Sequence, residues 1–354
     1  MSRSAPISLT AAIAALAVAA ASGGLWAQDF GVAIEPLRLP QTDSRIVGQA
    51  TELKNAHKLM SDKQVAAGLI SPKPAALTLP APSTKILPPR EVALRARKAL
   101  LRIGWFYLCP KCSRWHVNLA GGYVITADGA AVTCYHCVNP KGIVMREGYL
   151  VAMDSDGTML PVTAVLARDP VMDAAIVRVS GKSFTPLALN DRVAPGDQVY
   201  LYSDPMRVAG YFSTGMVNRF FWRTGGRHGD PNTLGGARAF RMHVSTDWAP
   251  GSSGAPVVDA CGNVVGHVAV ISSLQQKPST PQPAPSTQKA GKDGNSGDDS
   301  KDGKDDEHGQ APIAPPSGGG ATMMTLHEAV PARAVRLLAE NREKTPGSEE
   351  KNRK

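Results

Sequence analysis

Three residues in this chain could together cleave an acyl bond. Ser253 lies in Gly251-Ser252-Ser253-Gly254-Ala255-Pro256, His136 in Thr133-Cys134-Tyr135-His136-Cys137, and Asp173 between them in the chain. A serine hydroxyl is too weakly acidic to attack an amide unless a base takes its proton as the new bond forms. His136 could be that base, provided its other ring nitrogen faces a carboxylate that fixes the tautomer and stabilises the imidazolium; Asp173 is the candidate. Attack would leave an oxyanion, and the flexible Gly251 lets the backbone N–H groups of Gly251 and Ser253 converge on one point to hold it.

Elements that could position these residues are legible around each of them. Gly121 to Thr126 and Ala130 to Thr133 read as apolar strands joined by a turn at Asp128-Gly129, with His136 just beyond the second strand. Asp173 opens a β-branched run, Ile176 to Val179, after a loop marked by Pro170. Ser253 precedes Pro256-Val257-Val258, a turn at Cys261-Gly262-Asn263 and a strand from Val264 to Ile271. All three residues fall at loop-to-strand junctions, where a rigid scaffold can hold reactive groups.

With these pieces in this order the chain resembles the HtrA-like branch of the trypsin-like serine peptidases. The resemblance extends to Leu187 through Pro205, to Ser213-Thr214-Gly215 with Val217, and to the approach Thr246-Asp247, Ala249-Pro250-Gly251. It implies an all-β fold of two antiparallel six-stranded barrels with a short C-terminal helix, and a peptidase domain over residues 99–342. It further implies an endopeptidase acting on peptides or unfolded proteins, with no cofactor for catalysis. Two departures stand out. Ser252 occupies the place where digestive trypsins carry an Asp that pairs with a newly cleaved N-terminus, so activation by that route is not expected. The residues after the barrels are too few for the PDZ domain of a typical HtrA protein, so PDZ-mediated substrate capture is not carried over.

Specificity leaves two alternatives. Asp247 stands at the spacing of a trypsin pocket carboxylate, which would favour a cationic P1 side chain; aligned instead with the HtrA-like Thr-Asp, it anchors a loop. The position at which glutamate-specific relatives carry a His is Val268 here. His267 is offset by one residue, which on a strand means the opposite face. With Val268, Ala269 and Val270 on the expected pocket wall, a small or medium apolar P1 residue is expected.

Cys109-Pro110-Lys111-Cys112 and Cys134-Tyr135-His136-Cys137 form two Cys-x-x-Cys pairs at close to a zinc-ribbon spacing. Either all four thiolates bind a structural zinc ion, or two disulfides form across the pairs in an oxidising compartment. In both cases the effect would be to fix the His136 turn. A zinc held by four thiolates would have no open position and so would not be the catalytic electrophile. Cys261 is an odd fifth thiol, and His116, His243 and His327 belong to no motif.

The 354-residue chain carries a net charge of +9. Residues 1–27 read as a secretory signal, with Arg3 ahead of an Ala-rich apolar run from Ile7 to Ala21 that is too short and too Ala-rich for a membrane anchor. Export to the periplasm or medium follows as an expectation. Residues 28–98 read as a Pro/Ala-rich linker ending in a short helix that starts at Pro89 and docks through Val92, Leu94, Ala99 and Leu100. A low-complexity stretch, 274–320, interrupts the second barrel without ending it, because Met323 to Pro331 reads as a last strand and Ala332 to Glu340 as a closing helix. Within that stretch Asp298, Ser300, Asp302 and Gly303 mimic an EF-hand start, but Gly309 stands where a bidentate Glu is needed, so no calcium site is expected. Residues 343–354 form a charged tail. The scattered Lys and Arg match no nucleic-acid-binding signature, so no specific nucleic acid is expected as a partner. The pattern carries no signal for oligomeric state.

Overall fold

The computed structural model describes residues 37–73, 75–224, 238–275 and 322–340. The signal-like residues 1–27, the Asp298–Gly309 motif and the charged tail lie outside them. Strands β2 (Leu100–Leu108), β3 (Trp115–Val124), β4 (Ala130–Thr133), β5 (Glu147–Asp154), β6 (Met159–Asp169) and β7 (Ala174–Val179) close into one antiparallel barrel through a β5–β6 pairing, and β1 (Met60–Ser61) adds to the outside of β5. A second closed barrel runs in the order β10-β13-β12-β11-β8-β9, formed by β8 (Gln198–Ser203), β9 (Tyr211–Thr224), β10 (Arg238–Val244), β11 (Pro256–Asp259), β12 (Val264–Gln275) and β13 (Thr322–Pro331). β13 pairs with both β10 and β12, so the chain on either side of residues 276–321 belongs to one barrel. Helix α5 (Ala332–Glu340) follows directly, with Val335 buried.

Barrel closure follows from strands that leave no free edge among the six of each ring. One apolar cluster joins the two barrels. It contains Leu100, Tyr123, Val132 and Ile176 of the first and Val199, Leu201, Val257 and Val264 of the second. Helix α3 (Pro89–Ala99) docks on the same cluster through Val92, Ala96 and Ala99, with Pro89 where its missing N–H has no intrahelical partner to lose. Leu94, expected to dock, is 44% exposed, and Leu100 is buried as the first residue of β2 instead.

The arm ahead of α3 departs from the expected linker. Residues Ser44–Asn55 form helix α1, capped by the Asp43 carboxylate on the N–H groups of Arg45 and Ile46, and Asp62–Ile70 form helix α2, opened by a Ser61/Gln64 capping box. Ile46 and Ala50 pack with Phe106, Val117 and Met153, while Val65 and Leu69 pack with Leu160 and Val165. Only the Pro-rich part stays extended, as Pro chemistry requires. It is tied down by Leu87 N–H to the Ala260 carbonyl (2.9 Å) and by two hydrogen bonds between the Ser83 backbone and the Asn263 side chain.

A buried ion pair spans the two barrels. Arg102 of β2, 3% exposed, reaches Asp204 just after β8, with Nη2 3.0 Å from Oδ1, and Asp204 also accepts from the Gly210 N–H at 2.8 Å. Replacing the guanidinium alone would leave a buried carboxylate without its counter-charge. Arg102→Ala is therefore expected to cost about 3–5 kcal/mol in chemical unfolding, against a loss below about 1 kcal/mol if the pair behaved as an exposed one.

Candidate active site

His136 lies on α4 (Tyr135–Val138), a single helical turn that follows β4. Its backbone N–H donates to Asp173 Oδ1 at 3.0 Å, and its Nδ1 lies 2.8 Å from Oδ2. The carboxylate thus grips both the main chain and the ring, which fixes Nδ1 as the protonated nitrogen facing Asp173 and leaves Nε2 turned away.

Asp173 closes the β6–β7 connection. The Asp169 carboxylate accepts the N–H groups of Val171 and Met172, each at 2.9 Å, and Asp173 then takes a left-handed backbone with φ 55° before β7 begins. A non-glycine residue held there is strained, and surrounding contacts must over-determine it. One such contact comes from the second barrel, where His267 Nε2 sits 3.3 Å from the Asp173 carbonyl. His267 is fully buried, and burial lowers its pKa to about 4, so the ring is neutral and can donate from Nε2. Arg241 Nη2 adds a bond to the Val171 carbonyl at 3.4 Å. Neither residue was legible as a support in the sequence, because both act across barrels.

Ser253 sits in the loop between β10 and β11. The Ser252 N–H bonds the Ala249 carbonyl, the Gly254 N–H the Val268 carbonyl, and the Ala255 N–H the Ser252 carbonyl. By contrast the N–H groups of Gly251 and Ser253 donate to no acceptor among the described residues. Gly251 has φ +100°, a conformation that an L side chain would strain. Ser252, at the position of the missing trypsin Asp, is fully buried and bonds the Ser203 hydroxyl at 3.1 Å. A small open cleft is lined by Ser253, Gly251, His136 and Cys137 together with Trp105, Asn118 and Leu119. None of Asp247, Val268, Ala269 and Val270 lines this cleft. Val268 packs in the shared core, Ala269 and Val270 pack with Val330, Met172 and Ala334, and Asp247 is exposed, its backbone tied to Ser213.

The four cysteines of the two pairs do not converge. Two separate groups form instead, Cys109 with Cys112 and His116, and Cys134 with Cys137 and His136. The pairs sit at the ends of different elements, the β2–β3 hairpin and the His136 turn, which are joined by a bond from Trp105 Nε1 to the Cys137 carbonyl at 3.0 Å. The four thiols thus lie in two groups rather than around one point. Cys137 Sγ lies 3.4 Å from His136 Nε2. The Cys134 side chain beside it first, and the neighbouring His136 ring after it, hold the Cys137 thiol well below its ordinary pKa. Burial would lower the His136 pKa, but the Asp173 carboxylate and then the Cys137 thiolate outweigh it and push it up to about 10. His243 and His327 lie away from this cleft, against Phe221 and Trp248.

Residues 120–266 match the family model of the trypsin-like peptidase domain. Among curated proteins the chain is similar to "Putative protease Do-like 14" of Arabidopsis thaliana, at 28% identity over 156 residues that make up 42% of this chain and 34% of that protein. It is also similar to "Putative serine protease HhoB" of a Synechocystis strain, at 26% identity over 149 residues, 41% of this chain and 32% of that protein. The chain thus spans about a third of the length of the curated relatives it matches. The matched segment runs from β3 to β12, across both barrels and through His136, Asp173 and Ser253, and its likeness is to trypsin-like peptidases of HtrA-like type.

Proposed function

We propose that the chain is an exported serine endopeptidase that hydrolyses peptides or unfolded proteins through an acyl-enzyme on Ser253. The observation that carries the reading is the Asp173–His136 pair at 2.8 Å opening onto the same cleft as Ser253 and Gly251. In the first step Ser253 Oγ attacks the scissile carbonyl while His136 Nε2 takes its proton, and Asp173 stabilises the imidazolium. The N–H groups of Gly251 and Ser253 then receive the oxyanion. His136 returns the proton to the leaving amine, and in the second half it activates the water that releases the acid. Export rests on the signal-like residues 1–27 alone.

A second reading, a peptidase fold that binds peptides without cutting them, is favoured by one observation. Nε2, the nitrogen that must serve Ser253, faces the Cys137 sulfur. A thiolate there keeps the ring protonated, and a protonated imidazole cannot accept the serine proton. Catalysis requires His136 to be neutral with Nε2 directed at Ser253, so the Cys137 contact competes with the first step.

The two readings part on mutation. Ser253→Ala or His136→Ala is expected to lower amidase turnover on an unfolded protein substrate by ~10³-fold or more, the scale on which broken triads fail; turnover near wild type in either variant would contradict the assignment. Cys137→Ala removes one of the two charges that raise the His136 pKa. The base then becomes neutral at lower pH, so the acid limb of the kcat/KM profile, and the His136 titration followed by NMR, should both move to lower pH. An unmoved titration would show that Cys137 does not bear on the base.

A further inference from the structure

The β2–β3 hairpin ends in a cluster of soft donors that the proposed acyl transfer does not use. Cys109 Sγ, Cys112 Sγ and one ring nitrogen of His116 lie within 4.8 Å of one another, and Cys112 Sγ is 3.0 Å from His116 Nε2. The turn is tight. The Cys109 N–H bonds the Arg114 carbonyl and the Ser113 N–H bonds the Cys109 carbonyl, each at 3.0 Å, with Ser113 left-handed at φ 55°. His116 stands opposite Tyr107 in the hairpin register and stacks on its ring, with centroids 5.6 Å apart. It is 5% exposed, and its Nδ1 is buried without a hydrogen-bond partner among the described residues.

We propose that Cys109, Cys112 and His116 are the protein ligands of a zinc-class divalent cation, with the fourth position open to water. Two thiolates and an imidazole select a borderline-soft ion over magnesium or calcium, whose sites are built from oxygen. With Zn–S near 2.3 Å and Zn–N near 2.1 Å, a tetrahedral S···N edge is roughly 3.6 Å, so the His116 ring needs to withdraw from Cys112 by only about half an ångström. The other cluster is already committed. Cys134 Sγ donates to the Val268 carbonyl at 3.1 Å, and His136 Nδ1 is held by Asp173. A cation at the hairpin end pins β2 to β3 four residues beyond Trp105, the residue that holds the Cys137 carbonyl, and so steadies the His136 turn without touching the ring. The site does not depend on the chemistry assigned to Ser253.

The test uses the full chain, purified with its thiols reduced and without chelator. Metal analysis by mass spectrometry should find one zinc per chain, and titration of the zinc-stripped protein with cobalt(II) should give the charge-transfer band of a tetrahedral site with two thiolates. Stoichiometric binding should be lost in Cys112→Ser and in His116→Gln and kept in Cys261→Ser. Alkylation of the wild-type protein, read by peptide mass, needs no variant to fold: zinc should protect Cys109 and Cys112 and leave Cys261 unprotected. Absence of bound metal, a Cys109–Cys112 disulfide in the native protein, or binding that depends on Cys134 and Cys137 would each overturn the proposal.

Discussion

The whole site hangs on how closely the two barrels approach each other at β3 and the loop that carries Ser253. A Cβ on Gly121 would stand 2.5 Å from the Ala255 nitrogen, and one on Gly254 would press on the Gly121 backbone carbonyl. Backbone therefore lies directly on backbone, with no side chain between, and the neighbouring main chain cannot yield as a flexible side chain would. Thr133 fills the remaining space and donates its hydroxyl to the Gly121 carbonyl at 2.7 Å, and the Cys134 thiol caps the Val268 carbonyl at 3.1 Å. These contacts flank the His136 turn on one side and the Ser253 loop on the other. Because interiors pack at crystal-like density, the relative position of base and nucleophile is set by this contact rather than by either loop alone.

On that frame, His136 stands between the Asp173 carboxylate and a Cys137 thiol whose pKa is held down. Asp173 faces Nδ1 and Cys137 faces Nε2, and at the few-ångström separations involved each attraction is worth on the order of a few kcal/mol at an effective dielectric of about 20. The Asp173 interaction is the one a general base needs, because it fixes the ring and rewards the imidazolium that forms during attack. The Cys137 interaction rewards the same imidazolium before attack and so raises the ground state's hold on the proton. Asp173 is itself held from the second barrel through His267, so both partners of the base are positioned by contacts far apart in sequence.

What the sequence made legible follows from how local the signals are. Ser253, His136 and Asp173 could be named because each stands at the end of a short apolar strand and next to turn chemistry that only a few residue types support. β13 and α5 were legible beyond the 274–320 stretch for the same reason, as an alternating run followed by a helical one. The first arm was less so. The capping signals at Asp43 and at Ser61 with Gln64 were present in the sequence but outweighed by the Pro-rich composition around them, and nothing local marks Ile46 or Val65 as residues that bury against a barrel. The cysteine pairs show a different limit of local signals. Their spacing left open a four-thiolate site or two disulfides, whereas the hairpin register places His116 beside Cys112 and leaves the second pair with His136. Val268, Ala269 and Val270 pack in apolar clusters, and their contacts across the second barrel were not legible from local sequence.

The central claim is that Ser253 is an activated nucleophile. It is tested most directly by exposing the purified, folded protein to a fluorophosphonate probe and locating any adduct by intact and peptide mass. The account predicts one adduct per chain, on Ser253, absent from the Ser253→Ala variant. No adduct on the folded protein with its thiols reduced, or an adduct on another residue, would contradict it.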